Sequence, residues 1–384
     1  MTERLRADVT IVGGGIAGCA TAVALREAGL TVVLLEKALC GAGASGVNFG
    51  GVRQQGRHLA ELPLARRARP LWDRLAERLG ADVEFEASGH LKLARSEAEM
   101  AELERYARGA GALGLRLQLL GANAVRSELP WLGGAVVGAS LCAEDGHANP
   151  RLVGPAYARL ARRLGADVRE HAPAISATRS GDGFATRTDR LEVTSRHLVN
   201  CAGVAAGRVA AWFGDEVPLE PLVPNMLVTE PVPFFVSRSI GVCGGDVYIR
   251  QIARGNAILG GGGGWSDSAG ERSRPLTETS LAAMAGVLAL VPALAGSHVI
   301  RSWAGIDGQM PDHIPVLGLS ATTPNLVHAF GFSGHGFQLG PVVGEIIAEL
   351  VTQGRSASPL APFAIERFAG PQQSDAPSEV GVEH

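Results

Sequence analysis

"VTIVGGGIAGCATAVALREAGLTVVLLEK", Val9 to Lys37, sets three consecutive glycines between an apolar run and a helical pattern, then returns to apolar residues. Asp8 to Val12 reads as a buried strand, Ile16 to Ala28 as a helix, and Thr31 to Leu35 as a second strand ending at Glu36. Gly13, Gly15 and Gly18 supply G-x-G-x-x-G at the first strand–helix junction. In that pattern the first glycine permits the tight turn. The second lets a pyrophosphate approach the backbone, and the third lets helix and strand pack closely. The N–H groups at the helix start then face the phosphates, and the helix dipole favours their charge. Glu36 stands where a carboxylate accepts from ribose hydroxyls and repels the extra phosphate of NADP. A purely structural glycine turn is the alternative. Strand, helix, strand and acid in that order favour a dinucleotide site, without separating FAD from NAD.

Around this unit the totals narrow the class. With 384 residues the chain is long enough for two intertwined domains. The 35 basic and 38 acidic residues nearly balance, so the basic surplus of a nucleic-acid binder is missing. Cys19, Cys40, Cys142, Cys201 and Cys243 are an odd, widely spaced set without C-x-x-C, which argues against a disulfide framework and a thiolate metal site. Strand-like sequence from Asp8 leaves no room for a signal peptide, and Leu281 to Gly296 is too short for a membrane span. The expectation is a cytoplasmic protein, with no nucleic acid, membrane span or metal.

Further along, Gly41 to Gly51, "GAGASGVNFGG", reads as a glycine-rich loop, and Arg57 to Leu79 as one basic helix. Val83 to Ala94 suggests strands, Ser96 to Gly109 an acidic helix, and Pro150 opens a helix closed by Gly165. Arg196 to Asn200 is a strand entering a second small-residue turn, "CAGVAAGRVAAW", from Cys201 to Trp212. Pro218 to Gly264 is β-rich, with prolines marking strand ends. Its run Gly260 to Gly264 does not suit an ordinary strand interior; either the backbone approaches something closely there or the segment is a loose turn. The tail 371–384 is polar and reads as disordered.

"HAFGFSGHGFQLGPVVGEIIAELV", His328 to Val351, repeats the opening theme: Gly331, Gly334 and Gly336 precede a helix expected from Pro341 to Val351. A second helix N-terminus suits a ligand with a second electron-poor or anionic part. Reduced flavin carries negative charge toward its pyrimidine side, where N–H groups and a helix dipole stabilise it. A nicotinamide has no such requirement. This segment therefore tips the reading to FAD. The fold class expected is α/β, a Rossmann-like FAD-binding domain with an interleaved, mostly antiparallel α+β substrate domain. Residues 1–82, 146–217 and 302–370 would form the first, and 83–145 and 218–301 the second.

With these stretches in hand, the chain resembles the D-amino-acid-oxidase-like FAD oxidoreductases, in particular their sarcosine oxidase and glycine oxidase branches. The resemblance spans about residues 7–368. Besides the opening unit it is carried by "DGHANPRLVGPAYARLARRLGADV", "LVNCAGVAAGRVA", "SWAGIDGQMPDHIPVLG" and "GFSGHGFQLGP". It implies oxidation of the C–N bond of an amine or amino acid by hydride transfer to flavin, giving an imine. That chemistry needs a neutral amine and correct positioning more than a dedicated base. The resemblance also implies FAD contacts at Gly13, Gly15, Gly18, Glu36, Lys37, Ser45, Gly203, Gly334, Gly336 and Phe337. Arg53, in "GGVRQQ", falls where the sarcosine oxidase branch holds the substrate carboxylate, and a guanidinium suits that task; the alternative is an exposed loop arginine. Tyr248, in "DVYIRQ", fits the tyrosine lying over the flavin, or is a plain strand aromatic. His335 contacts the flavin or caps its helix, with the cap preferred.

Three departures mark this chain. Asp307 stands where the glycine oxidase branch carries an arginine; it points to a cationic substrate, or caps Gly308 in a turn, the preferred alternative. Gly305 replaces the cysteine that binds flavin covalently in the monomeric sarcosine oxidases, so FAD is expected to be non-covalent, and Gln338 replaces a lysine. Ile258 aligns approximately with their oxygen-activating lysine. Loss of that charge slows reaction with oxygen and favours a dehydrogenase over an oxidase. Arg53, Tyr248, Asp307 and Gln338 are thus the candidate catalytic residues. Three alternatives stay open: a flavoprotein subunit that hands electrons to a partner subunit, a flavin-binding scaffold without turnover, and an NAD dehydrogenase.

Overall fold

The opening apolar run forms β1 (Glu3–Val12), the centre of a mostly parallel sheet. In the computed structural model, which describes residues 2–134 and 136–369, Val9, Thr10, Ile11 and Val12 are all buried. Burial on both faces is what a central parallel strand requires. The expected polar tail 371–384 lies outside the described residues. The strand starts earlier than its apolar core because Glu3–Ala7 pairs in parallel with Leu191–Ser195. Beside β1 lie β2 (Val32–Leu35) on one side and β9 (Leu191–Asn200) on the other. Beyond β2 comes β6 (Asp167–Arg169); beyond β9 come β16 (Leu326–Phe330) and the antiparallel β15 (Val316–Leu319). β7 (Ser176–Ser180) and β8 (Gly183–Arg187) fold antiparallel onto β9.

The helices on this sheet are α1 (Ile16–Glu27), α2 (Leu62–Asp73), α3 (Pro150–Arg163) and α5 (Gly336–Gln353). Small residues decide how closely they sit. A Cβ on Gly340 would lie 2.6 Å from Ile16, and one on Gly344 would lie 2.5 Å from the backbone of Ala20. Only hydrogen at those two positions lets α5 lie directly on α1. Asn149 caps α3 by accepting from Arg151 N–H, and Gly165 ends its turn with φ +88°.

The second sheet has eight strands in the order β14 (Val299–Ala304), β10 (Pro224–Pro231), β13 (Asn256–Gly263), β12 (Tyr248–Gln251), β11 (Ser239–Val242), β3 (His90–Ala94), β5 (Gly138–Cys142), β4 (Gln118–Gly121). Every pairing is antiparallel except β3 with β11. Helix α4 (Thr277–Leu290) buries Ala283, Val287 and Leu290 on one side while its apolar sequence leaves Leu281 exposed on another. β14 crosses the expected domain boundary at residue 302 and belongs wholly to this sheet.

Several expected elements differ in detail. The single helix over Arg57–Leu79 is broken into a short turn at Leu59–Glu61, then α2, then Leu75–Leu79. Pro63 favours a fresh start and Pro70 withholds an N–H inside α2. Of Val83–Ala94 only β3 is a strand, while Glu86 makes an isolated bridge to His147. The run at Gly260 is neither loop nor turn: β13 continues through Gly263. α5 begins five residues before the proline expected to open it, so Pro341 sits inside the helix. Among the described residues no helix is long and apolar enough to cross a membrane.

Replacing Gly344 by valine should cost about 3 kcal/mol or more in urea unfolding, since backbone rather than a pliable side chain opposes the new group. Gly296→Ala, with open space around it, is the control and should change stability by less than about 0.5 kcal/mol. Equal effects at the two sites would contradict the helix contact.

Candidate active site

The first bend follows β1 directly. Gly13 turns with φ +107°, and a Cβ there would lie 2.2 Å from Cys201 O. A Cβ on Gly18 would lie 2.0 Å from Gly13 O, so the third glycine is what seats α1 on the turn. The acid at the end of β2 holds the loop: Gly14 N–H donates to Glu36 Oε2 (2.6 Å), and Ala38 N–H to Oε1 (2.7 Å). Ser45, in a short helix within the glycine-rich loop, accepts from Ile16 N–H at 2.9 Å. Lys37 is exposed at the rim, and Gly203, with φ +58°, opens the turn after β9.

The second bend lies between β16 and α5. Ser333 Oγ accepts from Met310 N–H (3.1 Å). Asp307 clamps it from the side: Oδ2 accepts from Gly334 N–H (2.9 Å) and Oδ1 from Gly308 N–H (2.8 Å). His335 occupies the N-cap position, but its side chain caps nothing; Nδ1 instead meets Glu61 Oε2 at 2.8 Å in the interior. Arg57 completes this buried group, its guanidinium 3.8 Å from Glu61 Oε1 and donating to His335 O. Burial lowers the Arg57 pKa to about 10 against the attraction of Glu61, so it stays charged at neutral pH. Burial likewise holds the His335 pKa below its ordinary value, with Glu61 opposing and Arg57 and Arg53 reinforcing.

Both bends open onto one cavity of about 810 Å³, lined by Gly13, Gly15, Gly331, Gly334 and Gly336 together. That volume falls in the upper part of the ~300–1,000 Å³ range of small-molecule and cofactor sites. Glu36, Lys37, Ser45, Gly203 and Phe337 also line it. At one end stand Arg208 and Trp212; at the other, the face of the second sheet presents Met226, Ser239, Tyr248 and His90. The residues present fit a dinucleotide that spans the cavity: bare backbone at both bends, where any Cβ on Gly13 or Gly18 would collide, and a helix N-terminus at each.

Arg53 and Tyr248 lie at the sheet end. Arg53 Nη1 donates to Gln55 O (3.0 Å), which folds it back on its own loop. The Tyr248 hydroxyl donates to Met226 Sδ (3.2 Å), and the ring meets Phe49 edge-on at 4.9 Å. A Cβ on Gly260 would lie 2.5 Å from the Tyr248 hydroxyl, so the phenol rests on that glycine. This is the close approach that the glycine run of β13 serves. Burial raises the phenol's pKa and keeps it protonated.

Two of the four expected catalytic residues stand differently. Gln338 is fully buried outside the cavity, donating to Ala65 O of α2 (2.8 Å). As the third residue of α5 it points about 100° further round than Phe337, toward α2. Asp307 lines the cavity, but both its oxygens are committed to backbone amides, the geometry of the turn-capping alternative. Burial raises its carboxyl pKa against the pull of those amides. The sequence reading missed His90 and Arg57, two cavity residues at the start of a strand and in a loop that no spacing marked.

The family model described as "FAD dependent oxidoreductase" matches residues 8–350, and the chain belongs to that family. It is 28% identical to glycine oxidase of Geobacillus kaustophilus over all of both chains. To sarcosine oxidase subunit beta of Rhizobium meliloti it is 29% identical, covering 94% of this chain and 88% of that one. Among solved structures it is similar to L-proline dehydrogenase from P. horikoshii, with TM-score 0.88 and 26% identity, covering 96% of this chain and 99% of that chain. The cofactor is FAD and the chain is an oxidoreductase.

Gly260→Ala should push the Tyr248 ring off its seat and destabilise the protein by about 1–3 kcal/mol. A crystal structure and a denaturation curve of the variant check this; an unmoved ring with unchanged stability would contradict it.

Proposed function

From a chain that belongs to this FAD-dependent family, we propose an enzyme that oxidises the C–N single bond of an amine or amino acid. Secondary and N-methylated amino acids are its favoured substrates. The observation that carries this reading is the position of Arg53 and Tyr248 on the cavity wall shared with the second bend. FAD, when bound, supplies the acceptor for the hydride equivalent leaving the substrate carbon. The chain's own groups position that carbon. Arg53 offers two donors to a carboxylate, while Phe49, Met226 and the Tyr248 ring give an apolar wall that excludes water from the reacting bond. The stretches 83–145 and 218–304, which supply the strands of the second sheet, would form the substrate domain, and 1–82, 146–217 and 305–369 the cofactor domain.

FAD is held without a covalent bond. Gly305 carries no nucleophile, and a Cβ there would already lie 2.2 Å from Val47. Cys201 lines the cavity, but burial pushes its thiol up to about 12, so it is not a thiolate at neutral pH. Acid precipitation should therefore leave the yellow colour in the supernatant; colour retained in the pellet would contradict this.

We read the enzyme as a dehydrogenase. Ile258, which aligns approximately with the oxygen-activating lysine, lies on β13 outside the cavity lining. The one lysine among the described lining residues, Lys37, stands exposed at the nucleotide rim beside Glu36, so no lysine flanks the flavin end to promote reaction with oxygen. A partner subunit that takes the electrons is a second reading, favoured by the likeness to a protein named as a subunit. A cytoplasmic location fits five buried thiols. Anaerobic mixing with secondary amino acids should bleach the flavin, and air should restore it slowly. No bleaching by any amine or amino acid would overturn the C–N reading; rapid reoxidation in air would overturn the dehydrogenase reading alone.

A further inference from the structure

His90 opens β3 and lines the cavity that Arg53 also lines. Its tautomer follows from its neighbours. The Gln55 side-chain nitrogen donates to two carbonyls, His90 O (2.5 Å) and Ser140 O (3.3 Å), which identifies that end as the NH₂ group. Ser140 Oγ, donating to Gln55 Oε1 at 3.0 Å, agrees. The same NH₂ lies 2.8 Å from His90 Nδ1, so Nδ1 accepts and the ring proton sits on Nε2. Protonating Nδ1 would set two donors against each other. Burial, with Arg53 and Lys92 close by, also holds the His90 pKa well below its ordinary value.

Nε2–H meets no acceptor among the described residues, and His90 is itself part of the cavity lining, so the N–H is left for a ligand of that cavity. The loop bearing Arg53 is fixed to the same place. Asp145, fully buried, accepts from Gln54 N–H (2.8 Å) and Gln55 N–H (3.2 Å), and Gln55 then grips His90. A guanidinium and a neutral N–H donor, both tied to one clamped loop, thus face the same end of the cavity.

We propose that His90 is a specificity-determining residue that donates from Nε2–H to the substrate carboxylate, sharing it with Arg53. This deepens the amino-acid reading above and rests on its placement of Arg53. The proposal separates amino acids from amines that lack a carboxylate: the former use His90, the latter do not.

Two substitutions divide the imidazole's functions. H90Q keeps a donor near the position of Nε2, whereas H90N keeps a group near Nδ1 for Gln55 and deletes the cavity donor. The FAD-loaded protein is titrated with cyclopentanecarboxylate, which has no amine to oxidise, and with cyclopentylmethanol, followed by the flavin absorbance change. H90N should weaken carboxylate binding by roughly 10-fold or more, the effect of losing a hydrogen bond to a charged group. H90Q should largely restore it, and the alcohol should bind all variants alike. Kinetics with proline and pyrrolidine should show the same split, in KM more than kcat. H90L serves as a second donorless variant should H90N lose its FAD.

Wild-type strength of carboxylate binding in H90N or H90L would overturn the proposal. Parallel losses for carboxylate and alcohol would also overturn it, as would a wild-type protein with no carboxylate binding. Failure of the C–N reading looks different: no amine bleaches the flavin, while the cyclopentanecarboxylate titration still reports on His90.

Discussion

The contact of α1 with α5 is the constraint on which the site depends. Gly340 and Gly344 remove the side chains that would otherwise hold the two helices apart, so Ile16 and Ala20 lie directly against α5. Both helices begin at a glycine bend, and both bends end at the same cavity. Two helix N-termini, far apart in sequence, thereby aim their dipoles into one space. Widening this contact by one side chain would separate the halves of the cofactor site without touching either bend.

The second sheet supplies what the bends lack. It places a tyrosine, a methionine and a histidine on the cavity face, and its residues reach back to lock the loops that carry the arginines. Arg250 Nε donates to Phe49 O (2.7 Å), and its guanidinium lies over the Phe49 ring. Asp145, between β5 and α3, holds the loop after Arg53. Glu61 and Arg57 place opposite charges in the interior, where each needs the other because an unpaired charge there would be costly. Such buried polar groups add less to stability than apolar packing would; here they fix the bend at His335 relative to α2.

The cofactor half was readable because its physics is local. A glycine turn, the helix after it and the acid at the end of β2 lie within thirty residues, and G-x-G-x-x-G is demanded by close backbone approach rather than by distant partners. The substrate half was only partly readable because its geometry is assembled from far apart in the chain. Gln338 sits two residues after a cavity glycine, yet helical rotation turns it toward Ala65. His90 looks like an ordinary polar residue in a strand until β3 pairs with β11 and Gln55 arrives from the loop at residues 53–57. The glycines of β13 had no partner in the local sequence; Tyr248, on the neighbouring strand, explains one of them.

A crystal structure of the purified yellow protein tests the central claim most directly. One FAD per chain is expected, with its pyrophosphate at the Gly13–Gly18 turn and the pyrimidine edge of its ring at the amides near Gly334 and Gly336. Electron density for the isoalloxazine elsewhere, or for a ligand touching one bend alone, would contradict it.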